Sequence, residues 1–259
     1  MINSFIIQSM RHMLLCAFSA RFRQICKFPI FVVGCSHSGT TLLLRIIGAH
    51  PAAYPILNET NLFVKNQFAQ LKQFDLDTYA NGKMHWIEKT PKHLLFLDRI
   101  FAHRPYAKVL LILRDGRDVA LSLVKRGKDI ESATRKWVEW NKQGEKWWND
   151  KRVKVIRYEN LVQDVEPTVR ECLSFLELPF SEDCLRYHEK FERPEQGDSS
   201  PPSDTDKNNL AYRSWQVSQP IFDGRRRWEK AMSASDKDMF KKVGGELLIH
   251  YGYAQDMTW

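Results

Sequence analysis

The spacing of apolar positions changes period along this chain, and the changes mark out its elements. Ile30–Val33 and Lys108–Leu113 are short, almost unbroken apolar runs rich in β-branched residues, the pattern of strands covered on both faces. Thr40–Ile47 reads as a buried helix stopped by Pro51, and Leu62–Phe74 as an amphipathic one. Ala52–Leu57 is a second strand, and Trp86–Pro91 a short strand running into a turn. Pro91 forbids a helix there and keeps Thr90 extended. Asp129–Asp150 carries Trp137 and Trp140 on one i,i+3 face, expected to point at the core rather than at a sugar. A last helix is predicted over Asp238–His250. Strand alternating with helix predicts an α/β fold of three layers around a parallel sheet.

Length allows one such domain, 28–259, preceded by a helical extension over 1–27. Within it the segment 194–220 is a polar loop, its Pro194–Asn209 part too polar and proline-rich to pack. Lys plus Arg is 39 against 31 Asp plus Glu, a net charge of +8. That suits an anionic ligand, and is too mild and dispersed for nucleic acid. No acidic residue precedes Glu59. The apolar clusters of 1–27 are broken by Arg11, His12, Arg21 and Arg23, short of the ~20 residues of a transmembrane segment. This basic, acid-free stretch has the composition of a targeting peptide or interfacial helix, with packing on the domain preferred. Five cysteines without paired spacing point to a reducing, cytoplasmic setting and to no zinc or disulfide framework. Cys35 is read as a small loop residue rather than a thiol acidified by the following helix.

Between the first strand and helix lies Gly34-Cys35-Ser36-His37-Ser38-Gly39. A strand, a glycine-bounded loop and a helix together aim backbone N–H groups and a helix N-terminus at one anion. Ser36, Ser38, Thr40 and Thr41 surround the same point with hydroxyls. The spacing matches the nucleotide-triphosphate P-loop, but Thr40 stands where its lysine belongs. This cradle therefore predicts a phosphate held without a metal clamp. Arg114, at the end of Lys108–Leu113, begins a second anion site, with Ser122 two helical turns on and Arg126 at i+4 from it. Asp115 is a candidate helix cap or local ion-pair partner. Glu59, after the second strand, stands where parallel sheets place their ligands. Lys89 and His93 are candidates for a charged rim.

The pair "GCSHSGTTLLLRIIGAHP" and "LRDGRDVALSLVKRG" resembles the 5′-phosphosulfate and 3′-phosphate motifs of the 3′-phosphoadenosine 5′-phosphosulfate (PAPS)-dependent sulfotransferases. Within that superfamily it is more similar to the carbohydrate and tyrosyl-protein branch than to the cytosolic aryl and steroid branch. The likeness covers most of 31–178, including "VIRYENLVQDVEPTVRECLSFLELP", a strand-turn-helix, and continues loosely into "RRRWEKA". It implies a sheet of about five strands, a P-loop-like phosphosulfate-binding loop and PAPS as co-substrate, with no metal. The amides of Ser36, His37, Ser38 and Gly39 and the hydroxyls of Thr40 and Thr41 would hold the donor's 5′ end. Arg114, Ser122 and Arg126 would take its 3′-phosphate, with Tyr158 and Arg227 beside the nucleotide. Glu59 matches the base that deprotonates an acceptor hydroxyl on a carbohydrate, small molecule or tyrosine. Lys89 matches the lysine on the transferring sulfonate. Glu88 and His93 are rival bases.

One residue departs from the pattern. His37 stands where the family carries Arg or Lys, and histidine is cationic only when protonated. The alternatives are thus a catalytically weak or silent nucleotide-binding homologue and, on loop spacing alone, a P-loop kinase.

Overall fold

The computed structural model describes residues 28–191, 221 and 223–259. The expected extension 1–27 and the loop 194–220 lie outside the described residues, as do Cys16 and Cys26.

Five strands form one wholly parallel sheet: β1 Ile30–Gly34, β2 Ala53–Ile56, β3 His85–Lys89, β4 Lys108–Leu113 and β5 Val153–Arg157. Their order is β2-β3-β1-β4-β5. Every residue of β1 and β3 is buried, which is why these runs carry no alternation of polar residues. The period of two decides the face instead. Ile30 and Val32, with Leu110 and Ile112, pack against Leu43, Ile46, Ile47 and Val169. Phe31 and Val33, with Val109 and Leu111, face Phe63, Leu97 and Ile100 on the other side. A third cluster gathers Leu113, Val119, Trp137, Phe240 and Leu248. Helices thus cover both faces of the sheet, which makes the three layers.

The helices are α1 Thr40–Gly48, α2 Leu62–Lys65, α3 Ala69–Ala80, α4 Leu97–His103, α5 Gly116–Val124, α6 Ile130–Glu145, α7 Tyr158–Gln163, α8 Val165–Phe175, α9 Tyr187–Lys190, α10 Trp228–Ala231 and α11 Ala234–His250. Three expectations are corrected. The helix predicted over Leu62–Phe74 is two helices, broken at Asn66, whose φ of 58° ends the first turn. Thr90 is extended as expected, but Pro91 opens a 3₁₀ helix, Pro91–Phe96, instead of forbidding one. Proline at a first helical position gives up an N–H that has no helical partner there anyway. The segment after β5 holds two helices where the sequence suggested one turn and one helix. Trp137 is fully buried, as its spacing predicted.

The chain leaves β1 towards β2 and β3 on one side and crosses to β4 and β5 on the other. Strand order therefore reverses at β1, and the crevice beyond the C-terminal ends is where open α/β sheets bind ligands. Here those ends deliver Gly34, the Glu59 loop, Lys89, Arg114 and Tyr158.

Candidate active site

Two glycines shape the loop after β1. Gly34 has φ of 154°, and a Cβ there would lie 2.5 Å from the carbonyl oxygen of Ile112. Gly39 has φ of 97°, and its Cβ would lie 2.6 Å from the Tyr158 ring. Only glycine admits both the conformation and the contact. His37 sits between them with φ of 70°. Gly39 is also the N-cap of α1 and offers no side-chain acceptor, and the first turn has no acidic residue. The opening amides of α1 thus face the crevice without a side-chain cap, as an anion site requires. The Ser38 amide is the exception to the expected cradle, because it donates to the Cys35 carbonyl at 3.1 Å. Its hydroxyl is buried and has no hydrogen-bond partner among the described residues. A buried hydroxyl left this way is costly unless a ligand completes it. Thr40 is buried and Thr41 half-buried beside it. Cys35 is wholly buried, and burial pushes its thiol up to about 12, the opposite of an activated cysteine.

Glu59 and Lys89 come together. Lys89 Nζ donates to Glu59 Oε1 at 2.7 Å, with 6% of the lysine side chain and 38% of the glutamate exposed. Lys89 pairs with Val32 across the β1–β3 ladder, two residues before Gly34 opens the loop. The carboxylate is open on its outer side. A hydroxyl can approach it there.

Glu88 and His93 are not free bases. Glu88 is completely buried; its Oε1 accepts from Thr60 Oγ1 at 2.9 Å, Thr60 N at 3.3 Å and Thr90 Oγ1 at 2.5 Å. Its Oε2 lies 3.0 Å from His93 Nδ1, and His93 Nε2 accepts from the Phe63 amide at 3.3 Å. The pattern fits a histidine with its proton on Nδ1, every nitrogen in use. Burial alone would raise the Glu88 carboxyl, but the hydrogen bonds from His93, Thr90 and Thr60 outweigh it and hold the group below its ordinary value. Thr90 Oγ1 also accepts from the Asn61 amide at 3.2 Å. The network ties residues 60–63 to the end of β3. It sets where Glu59 stands.

Arg114 also differs from the free fork expected. Its Nη1 donates to the His37 carbonyl at 3.0 Å and its Nη2 to the Gly224 carbonyl at 2.7 Å. The guanidinium lies over the Tyr158 ring, 4.1 Å from its centroid, in cation–π contact. Among the described residues its Nε is buried and has no hydrogen-bond partner. Ser122 donates its hydroxyl proton to the Asp118 carbonyl at 2.9 Å, so, contrary to the free donor expected, it must turn that proton away from the helix before it can serve a phosphate. Arg126 falls in the turn after α5, with its amide on the Leu123 carbonyl, rather than on a continuing helix face. Arg227 is the exposed N-cap of α10, within electrostatic range of Tyr158. Asp115 caps α5 through the Arg117 amide and forms its ion pair with Arg117 at 2.8 Å, not with Arg114.

Two residues escaped the sequence reading. Asp118 accepts from the amides of Arg226 at 2.9 Å and Trp228 at 3.1 Å, so one buried carboxylate anchors the arginine-rich segment to α5. Lys136 on α6 reaches the loop, its Nζ 3.2 Å from Ser36 Oγ. Neither bond joins residues near in sequence, so no local motif announced them. Among the described residues, no three or more His, Cys, Asp or Glu side chains gather as metal ligands, and no helix is long and apolar enough to cross a membrane.

A model described as "Sulfotransferase family" matches residues 29–83 and 67–182, more than half of the chain. A putative protein-tyrosine sulfotransferase of Caenorhabditis briggsae is 28% identical over 194 residues, 62% of this chain and 69% of the relative. Protein-tyrosine sulfotransferase 1 of Danio rerio is 33% identical over 203 residues, 62% of this chain and 56% of the relative. The matches span from 28% to 69% of the curated relatives' own lengths. Among solved structures, a mouse sulfotransferase complexed with 3′-phosphoadenosine 5′-phosphate (PAP) superposes with a TM-score of 0.54 at 16% identity, covering 89% of this chain and 93% of that one.

Proposed function

This chain belongs to the sulfotransferase family, and from that premise we propose that it transfers a sulfonate group from PAPS to an acceptor hydroxyl. The observation that carries the reading is the Glu59–Lys89 ion pair, at the end of a strand that pairs with the one leading into a glycine loop whose helix amides and Ser38 hydroxyl are left open.

The roles follow from charge. Glu59, through its solvent-facing oxygen, accepts the proton of the acceptor hydroxyl. The freed oxygen attacks sulfur, a new S–O bond forms, and the bond to the bridging oxygen breaks with its electron pair left on the 5′-phosphate. Lys89 moves from the carboxylate, neutralised by that proton, to the sulfonate oxygens. The amides that open α1, with Thr40 and Thr41, hold the phosphate in line, which is positioning rather than covalent work. Arg114 braces the loop from behind through the His37 carbonyl and keeps Nε for the 3′-phosphate, beside Ser122. A proton acceptor placed like Glu59 is worth on the order of 10²–10⁴-fold in rate.

Tyrosyl hydroxyls are the first acceptors to try, because protein-tyrosine sulfotransferases are among the relatives matched. The test has two arms. PAP should raise the unfolding temperature without added metal and AMP far less. At a hundredfold excess over its dissociation constant PAP should contribute about 2.7 kcal/mol. Labelled PAPS should then pass its sulfonate to a tyrosine-bearing peptide. An equal response to PAP and AMP removes the 3′-phosphate assignment. PAP binding without turnover on peptide, sugar or phenol acceptors makes the chain a silent nucleotide-binding homologue.

A further inference from the structure

Lys136 is a cation built into the loop from another element. It lies on α6, about a hundred residues from Ser36, and its ammonium touches that residue's hydroxyl at 3.2 Å. The stem runs along Trp140, with Nζ 4.4 Å from the ring centroid. The residue is half-buried, and no carboxylate lies within ion-pair distance of it among the described residues. The Glu59 carboxylate, Lys92, Lys128 and the Cys35 thiol are within electrostatic range. Burial of a charge is costly unless something compensates it, and here the nearest partners are a hydroxyl and an indole face. Both are weak substitutes for an anion. The ammonium thus touches the loop at Ser36 and feels the Glu59 carboxylate at longer range.

We propose that Lys136 supplies the fixed cation at the 5′ end of the sulfonate donor, the role that His37 cannot fill with a permanent charge. The inference rests on the sulfotransferase reading and deepens it. By the resemblance His37 stands where the family carries its loop cation; here its carbonyl is held by Arg114 and its backbone is left-handed. In the transfer step the S–O bond breaks and its electron pair settles on the bridging phosphate oxygen. Lys136, half-buried and in contact with Ser36, meets that charge through a shift of its ammonium. A point charge on a flexible stem suits this, since no bidentate geometry is required.

Calorimetric titration separates the two ends of the nucleotide. In Lys136→Met, PAP should bind at least about tenfold more weakly, while adenosine 3′-monophosphate, which lacks the 5′ end, binds within about twofold of wild type. Turnover of PAPS should fall by about 10²-fold, the size of losing one preorganised charge contact. Lys136→Arg should retain most of both. Adding His37→Arg to Lys136→Met should restore at least about tenfold in turnover, because a permanent cation returns from the loop side. Equal weakening of both nucleotides would make Lys136 a structural brace, and unchanged PAP affinity with unchanged turnover would end the proposal outright. If Lys136→Met does not fold, Lys136→Gln with the same titrations decides it. Failure of the wild-type chain to bind PAP at all refutes the sulfotransferase reading instead, so the two failures are distinct.

Discussion

Replacing Glu88 by glutamine changes a single atom in the most enclosed part of the site. The glutamine can keep its oxygen where Oε1 accepts from Thr60 and Thr90, but it then presents an amide to His93 Nδ1–H, a donor facing a donor. His93 cannot escape by moving its proton, because Nε2 already accepts from the Phe63 amide. One hydrogen bond to a charged group is lost, worth about 1.5–3 kcal/mol, and two buried donors are left opposed. The expected cost is about 3 kcal/mol, at the lower edge of the 3–5 typical of removing one partner of a buried pair. In a domain of this size that lowers the unfolding midpoint by about 6–12 °C. Thermal and urea unfolding at pH 7 measure it. The pH dependence supplies a second check. The folded Glu88 carboxyl lies below its ordinary value near 4.5, so its contribution is complete above that value and is lost as pH falls through the folded one. The gap between wild type and Glu88→Gln should therefore hold down through that ordinary value and close only as pH falls through the lower, folded one. A variant within about 0.5 kcal/mol of wild type at pH 7, or a gap that stays constant down to pH 2, would refute the reasoning that an ionised Glu88 organises this corner.

Other outcomes are as specific. Glu59→Gln should leave PAP affinity within about twofold and lower sulfonate transfer by at least about two orders of magnitude; normal turnover would remove Glu59 as the proton acceptor. Gly39→Ala forces a Cβ to within 2.6 Å of Tyr158 at a φ of 97°, so it should cost at least about 1–2 kcal/mol and weaken PAP, as thermal-shift titration would record. Cys35, Cys172 and Cys184 are buried, and burial pushes each thiol up to about 12. All three should resist iodoacetamide in the folded protein and react in urea, with mass spectrometry as the readout; rapid native labelling of Cys35 would mean an open loop.

Much of this was legible in the sequence because it is written in short windows. β4 is Lys108–Leu113 in both readings, since an unbroken apolar run with flanking turns admits little else. The glycine loop was legible because its chemistry needs adjacent residues. Glu59 and Lys89 could be named singly from strand ends and resemblance, but their contact depends on β2 and β3 pairing. Readings failed where a tertiary partner redefined a residue. His93 looks like a surface histidine in a Lys-Thr-Pro-Lys turn, and is buried because Glu88 and the Phe63 amide claim both nitrogens. The break at Asn66 was missed because the apolar period continues across it. Lys136 carries no signal at all in its own helix, where a lysine at a solvated position looks the same.

The Arg114 bridge has a consequence for how the protein is made. One η nitrogen holds His37 and the other holds Gly224, a residue 110 positions later in the chain. At roughly 5–20 residues per second, the ribosome delivers Gly224 on the order of 5–20 s after Arg114. During that interval β1 to β5 and both anion-binding motifs have been translated, yet the arginine behind the loop lacks its second anchor. A chain stalled or truncated before Gly224 would present the whole glycine loop with its brace half fastened. Donor affinity should therefore rise once synthesis has run past Gly224, and nucleotide titration of chains truncated before and after that residue would measure the gain.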